Sequence, residues 1–76
     1  MKFEVDKSIL IYAFKYTLGR RTFAVSEICN VLKKYWEHLD NSIQKLIKEE
    51  IINYEKDHGD LGHDCDRDSW YEILYL

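Results

Sequence analysis

The chain has no proline, three glycines, two cysteines and no long apolar run. Without proline there is no proline-rich linker, and the glycines fall where helices are predicted to stop. The longest uninterrupted apolar run, residues 9–14, is too short for a membrane span or for the core of a signal sequence. We therefore expect one cytoplasmic domain over residues 1–76, with no membrane association.

The two cysteines do not indicate a disulfide framework, a metal site or a nucleophile. Small secreted domains usually carry several disulfides, so we expect Cys29 and Cys65 to remain thiols. Together with His58 and His63 they match no familiar zinc-binding spacing. Cys29 also lies on an apolar helix stripe, where cysteine usually behaves as a small buried hydrophobe. No residue signals an activated thiolate with an oxyanion pocket, so no catalytic residue is predicted.

Three alternating aspartates, Asp64, Asp66 and Asp68, resemble the start of a calcium-binding loop. The pattern then fails, because the sixth loop position is Ser69 rather than glycine and the twelfth is Tyr75 rather than glutamate. The aspartates are more typical of a solvated loop and a helix cap. The sequence therefore predicts no metal and no cofactor.

What the chain has in abundance is aromatic residues, with two tryptophans, six tyrosines and three phenylalanines. A domain this small cannot bury that many large side chains, which favours a protein partner or a homo-oligomer.

The charged residues are divided unequally between the two halves of the chain. Residues 1–36 hold seven basic and three acidic residues, a net charge of +4, whereas residues 37–76 hold four and eleven, a net charge of −7. This division predicts either an internal match of opposite surfaces or an acidic face for a basic partner.

Apolar residues recur at helical spacing through most of the chain. The first predicted helix extends from about Asp6 to Leu18 and ends at Gly19. It is apolar over much of its circumference, so we expect it to be central. One apolar stripe contains Ile9, Tyr12, Ala13 and Tyr16, and the next contains Leu10, Phe14 and Leu18.

Three further helices follow. The second is capped by Thr22 or Ser26 and continues to about Leu39, and the third begins after Asp40 and ends near Gly59. A polar loop leads to a short last helix, capped by Asp66 or Asp68, whose Trp70, Ile73 and Leu74 face inward. The predicted fold is all-α: a compact bundle of three main helices plus a short C-terminal helix.

Residues 55–72 contain seven acidic residues and only two basic residues. This composition serves solubility, or it forms a surface that docks onto a basic protein, with Trp70 and Tyr71 as apolar anchors. The predicted partner-binding residues are Glu55, Asp57, Asp60, Asp64, Asp66, Asp68, Trp70 and Tyr71.

The turn before the second helix holds the most compact basic feature, Arg20, Arg21 and Thr22. Helix N-termini favour anions, so the alternative function is binding of nucleic acid or an anionic ligand at this turn. The acidic total disfavours nucleic acid. A structural role is the competing interpretation, in which one arginine pairs with an aspartate of the acidic loop, namely Asp60, Asp64 or Asp66.

The segments Tyr12-Ala13-Phe14 and Tyr16 to Ser26, with the later Leu61-Gly62, Asp64 and Trp70, resemble small helical proteins encoded by bacteriophages and prophages. The resemblance implies an accessory phage protein acting in the bacterial host cytoplasm, a class that includes anti-CRISPR inhibitors. It implies no site residue. The leading hypothesis is a non-enzymatic protein-binding module, derived from a phage, that inhibits a host defence protein through its acidic and aromatic surface.

Overall fold

The computed structural model describes residues 6–20, 24–59, 61 and 64–76, with the backbone alone for residues 64–66. Within these ranges the chain forms four α-helices and no strand, which confirms the all-α prediction. The helices are α1 (Lys7–Thr17), α2 (Ala24–Tyr35), α3 (Asn41–His58) and α4 (Asp64–Leu74), with a short 3-10 helix (Trp36–His38) after α2. None of these described helices combines the length and the apolar character needed to cross a bilayer.

The four helices form two hairpins, α1–α2 and α3–α4. The second hairpin is antiparallel, because a later residue of α3 contacts an earlier residue of the last segment. Glu55 accepts a hydrogen bond from Tyr71, whereas Lys48, seven residues before Glu55, donates to the carbonyl of Leu76, five residues after Tyr71. α1 packs on α2, and α2 packs on α4.

The hairpins stack so that corresponding helices are parallel. Lys33 and Glu72, both near the ends of their helices, place α2 beside α4 in the same direction. Lys7 approaches Asp40 at 3.7 Å and Lys15 approaches Glu50 at 4.0 Å, which places α1 beside α3 in the same direction. One layer therefore contains α1 and α3 and the other contains α2 and α4, the arrangement of stacked helical repeats.

The core lies between the two layers and draws on both hairpins. Phe14 of α1 and Trp70 of α4 are fully buried and meet edge to face, with ring centroids 5.6 Å apart. Leu61 is also fully buried, although the sequence placed it in a polar loop. The other large buried side chains are Leu10, Leu18, Val25, Leu32, Trp36, Leu39, Ile47, Ile51 and Ile73.

Several predicted helix boundaries differ from the structure. α2 ends at Tyr35 rather than near Leu39, because the Gln44 side-chain amide donates to the carbonyls of Trp36 (2.7 Å) and Leu39 (3.2 Å) and so satisfies the end of the 3-10 turn. Ser26 lies inside α2 rather than capping it, and Thr22 is outside the described residues.

The last helix is longer than predicted. It begins at Asp64, so Asp66 and Asp68 lie inside its first turns and do not cap it. An acidic residue is favourable throughout the first turn of a helix, not only at its cap, because of the helix dipole. The predicted start of α3 after Asp40 and its end at Gly59, in the left-handed conformation, are confirmed.

The expectation that α1 is central is wrong. Its Leu10 and Phe14 are buried, but Ile9, Tyr12 and Tyr16 are exposed. An apolar stripe has the same periodicity whether it faces a core or solvent, so the pattern alone cannot distinguish the two.

Candidate functional site

The described residues of the predicted acidic surface do not form one continuous face. Glu55 is half-buried and its carboxylate accepts a hydrogen bond of 2.7 Å from the Tyr71 hydroxyl, whereas Asp57 is exposed. Residues two apart on a helix lie about 200° apart around its axis, so these two acids face different directions. The pair of Glu55 and Tyr71 therefore fastens α3 to α4, and Asp57 stands apart from it.

The Tyr71–Glu55 contact alters the chemistry of the phenol. The hydrogen bond to Glu55 raises the pKa of Tyr71 above its ordinary value, and burial and the negative charge of Glu55 act in the same direction. At neutral pH the phenol is therefore a firmly protonated donor that holds the two helices together.

Trp70 does not lie on the predicted surface. Its side chain is fully buried, against Phe14, so it is a core residue and not an exposed anchor for a partner. The indole Nε1 is buried and lacks a hydrogen-bond partner among the described residues. The sequence predicts both an inward-facing and a partner-binding position for Trp70, and only the first is correct.

One row of α4 does face solvent. Asp68 and Glu72 of α4 are exposed, and so is Tyr75, which directly follows the helix and continues the same spacing, with 85% of its surface exposed. Glu72 pairs with Lys33 of α2 at 2.5 Å, which leaves this row beside α2 on the α2–α4 layer. We call Asp68, Glu72 and Tyr75 the α4 acidic row. Three further predicted acids lie outside the description: Asp60 altogether, and Asp64 and Asp66 in their side chains.

The predicted anion site can be followed only at Arg20, because Arg21 and Thr22 are outside the described residues. Arg20 is exposed, and its guanidinium lies over the Tyr16 ring, 4.5 Å from the centroid. This is a cation–π contact on the surface of α1. Nucleic-acid binding usually requires several lysine or arginine side chains on one face of the protein, and a single arginine stacked on a tyrosine does not provide this.

The described residues hold no group of three or more His, Cys, Asp or Glu side chains arranged for a metal ion. Cys29 is buried in the core, as the apolar stripe of α2 predicted. The side chain of Cys65, and all of His63, fall outside the described residues.

One known protein family matches a segment that includes most of α1, all of α2, the 3-10 turn and most of α3. The model of the importin-beta N-terminal domain matches residues 11–55, more than half of the chain. No curated protein and no solved structure gives a significant match.

This match overturns the phage resemblance, because it covers most of the residues on which that resemblance depended. The inferred inhibition of a host defence protein is therefore wrong, and so is the anti-CRISPR class. A protein partner remains compatible with the match, because the importin-beta N-terminal domain is a protein-interacting domain. The matched residues contain the α1–α2 pair from Ile11 onward and α3 as far as Glu55, so α4 lies outside the match. The chain belongs to the importin-beta N-terminal domain family.

Proposed function

We propose that the chain is a non-catalytic, protein-binding module of a nuclear transport receptor, and that its partner is a GTPase of the Ran type. The observation that carries this proposal is the family match over residues 11–55. The stacked hairpins support it, because paired helices of this kind offer layered, solvent-facing rows of side chains to a partner.

The α4 acidic row is the surface that we propose for this partner. It combines two exposed carboxylates with a tyrosine that is almost fully exposed, and the exposed Lys34 and Glu27 of α2 lie on the neighbouring helix. Acidic residues accelerate association with a basic partner, and an aromatic side chain supplies the apolar anchor. Of the residues predicted from the sequence, Asp68 fits this surface.

A nuclear transport receptor works on both sides of the nuclear envelope, so we propose a nucleocytoplasmic location. The cytoplasmic location expected from the sequence stays a prediction. The bacterial host was implied only by the phage resemblance, so it loses its support together with that resemblance. The absence of catalysis is likewise part of the proposal.

The proposal is tested by titrating the chain with a purified Ran-type GTPase in its GTP and GDP forms, using isothermal calorimetry. We expect binding of the GTP form and much weaker binding of the GDP form, since the GTP-bound state is the one that the family implies as partner. A GTPase of another family is the control for specificity. Equal binding of all these proteins, or of none, would contradict the proposal.

The surface is tested by charge reversal. Asp68→Lys should slow association and weaken binding by about tenfold, because it places a positive charge opposite a positively charged partner surface. Asp57→Lys is the matched control, since Asp57 is also exposed but lies on α3 in the other layer. Equal losses for the two variants would remove the α4 acidic row from the proposal while leaving the GTPase partner in place.

A further inference from the structure

One side of α1 carries three large apolar side chains in a single exposed row. Ile9, Tyr12 and Tyr16 are exposed over 65%, 73% and 54% of their surfaces. They are three and four residues apart, the spacing with which apolar residues line the seam between two packed helices. We call them the α1 stripe. Contiguous exposed apolar surface of this kind marks an interface.

The α1 stripe lies at an open edge of the stack. Lys7 and Lys15 mark the side of α1 that faces α3, because they approach Asp40 and Glu50. The stripe lies about 130° around the helix axis from these lysines, so it is turned away from α3. Among the described residues, no helix covers it.

Opposite charges stand at the two ends of the stripe. Asp6 precedes Ile9 by three residues, and its carboxylate is held at the start of α1 by the Ser8 amide at 2.8 Å. Arg20 follows Tyr16 by four residues, and its contact with the Tyr16 ring keeps the guanidinium close to the stripe. The order along α1 is therefore acid, three apolar residues, base, and it is almost symmetric about Tyr12 and Ala13.

We propose that two copies of the chain pair through the α1 stripe as a symmetric dimer, with the two α1 helices antiparallel. The two-fold axis passes near Tyr12. Ile9 of each copy then lies against Tyr16 of the other, and Asp6 of each copy lies opposite Arg20 of the other. A two-fold axis makes every such contact twice.

The charges select this orientation. A parallel pairing would set Asp6 against Asp6 and Arg20 against Arg20, and like charges placed across an interface are unfavourable. The occupant of the stripe is therefore a second copy of this chain, whose own α1 supplies the complementary order of charges. The stripe is on the α1–α3 layer, so this dimer goes beyond the proposed GTPase binding at the α4 acidic row and does not depend on it.

The mass of the chain in solution tests the dimer. One helix face makes a small interface and small interfaces associate weakly, so sedimentation should be followed up to about 1 mM protein. We expect the mass to rise from 9.2 kDa to twice that value and to stop there. A constant monomer mass over the whole range would overturn the proposal, and so would growth beyond two copies.

Substitution of the stripe tests the surface. Tyr12→Glu places two carboxylates against each other at the two-fold axis and should raise the dimer Kd by about a hundredfold. Tyr75→Glu introduces the same change at an exposed tyrosine directly after α4 and should leave the dimer unchanged. Dimerisation by Tyr12→Glu at the unaltered Kd would contradict the proposal. Circular dichroism of both variants checks that they remain folded.

The orientation is tested by mixing two charge variants. Asp6→Arg sets two arginines against each other at each end of the dimer, and Arg20→Asp sets two aspartates there, so each variant alone should dimerise at least about tenfold more weakly. In an equimolar mixture the base-bearing and acid-bearing helices complement each other, and dimer should return. Loss of the Asp6 helix cap cannot be repaired by mixing, so recovery distinguishes pairing from folding. A mixture that stays monomeric would rule out the antiparallel register.

Discussion

Two glycines with nearly the same backbone conformation have different surroundings. Gly19 has a φ of +74° and Gly59 a φ of +72°, and both follow the ends of helices. A Cβ atom added at Gly59 would meet open space, whereas one added at Gly19 would lie 1.9 Å from Cζ of Tyr54. The Tyr54 hydroxyl also donates to the Gly19 carbonyl at 3.4 Å, so Gly19 forms the site where α3 docks onto the end of α1.

Alanine at these two positions should therefore have unequal effects. Gly59→Ala costs only the left-handed backbone, about 1 kcal/mol of unfolding free energy. Gly19→Ala adds displacement of the Tyr54 ring, for a total loss of about 3 kcal/mol. Urea denaturation followed by circular dichroism measures both. Equal losses would mean that Tyr54 swings away without cost. The stacking of Tyr54 on His58, with ring centroids 4.0 Å apart, opposes that movement.

The Tyr71 phenol gives a prediction about pH. Its pKa is raised, so the folded chain holds this proton more tightly than the unfolded chain does. The resulting stabilisation is complete below pH 10, the ordinary pKa, and declines as pH rises through the raised value. Glu55→Gln keeps an acceptor oxygen but removes the negative charge, so the pKa of Tyr71 should move back towards 10.

Nuclear magnetic resonance titration of labelled tyrosine rings measures this pKa directly, and Tyr71→Phe identifies the signal. An unchanged Tyr71 titration in Glu55→Gln would show that burial, and not the carboxylate, controls the phenol.

At the scale of helices, the sequence located both ends of α3 but placed the C-terminal end of α2 too late in the chain. Apolar periodicity depends on many residues and survives a single exception, whereas an end can depend on one tertiary hydrogen bond. Gln44 shows this, because its side chain, on the next helix, donates to the carbonyls at the end of the 3-10 turn. No sequence pattern around Leu39 predicts that α2 ends before it. Leu61 is similar: one leucine in a polar segment carries no period, yet it is fully buried.

The contribution of Gln44 can be measured. Gln44→Glu cannot donate to the carbonyls of Trp36 and Leu39, and it places a negative charge beside them, so we expect a loss of about 2 kcal/mol in unfolding free energy. Asn53→Asp makes the same chemical change at an exposed position of α3 and should cost less than about 0.5 kcal/mol. Thermal denaturation at neutral pH compares the two variants. Similar melting temperatures would show that the 3-10 turn does not need this side chain.

The candidate site could be predicted only in part. The high content of acidic residues predicted a binding surface on α4, and Asp68 is exposed there. Trp70 was ambiguous, because tryptophan is typical of interface anchors, whereas its position in the apolar spacing of α4 is typical of the core, where it lies. Large aromatic side chains serve both purposes, so composition does not decide between them. The α1 stripe shows the reverse error, because α1 was expected to be central and these residues instead face solvent.

For the molecule as a whole, the division of charge has an internal role. Three of the described ion pairs join a lysine of the first hairpin to an acid of the second: Lys7–Asp40, Lys15–Glu50 and Lys33–Glu72. Of the two interpretations of this charge division, the internal match of opposite surfaces is therefore present among the described residues. These side chains are largely exposed, and exposed pairs contribute little stability, so their main effect is to set how the hairpins align.

Stability must then come from the apolar contact between the hairpins. Phe14 meets Trp70 across the core, and α2 packs along α4, so neither hairpin covers its own buried face. Helices of 11 or 12 residues, such as α1 and α2, are marginal in water without tertiary packing. A chain of about 40 residues also rarely folds alone without disulfides or a metal.

Separate peptides of residues 1–39 and 40–76 should therefore each be largely unfolded by circular dichroism, and mixing them should restore helical signal. A peptide of residues 1–39 that unfolds cooperatively by itself would show that the chain is two independent hairpins and not one domain.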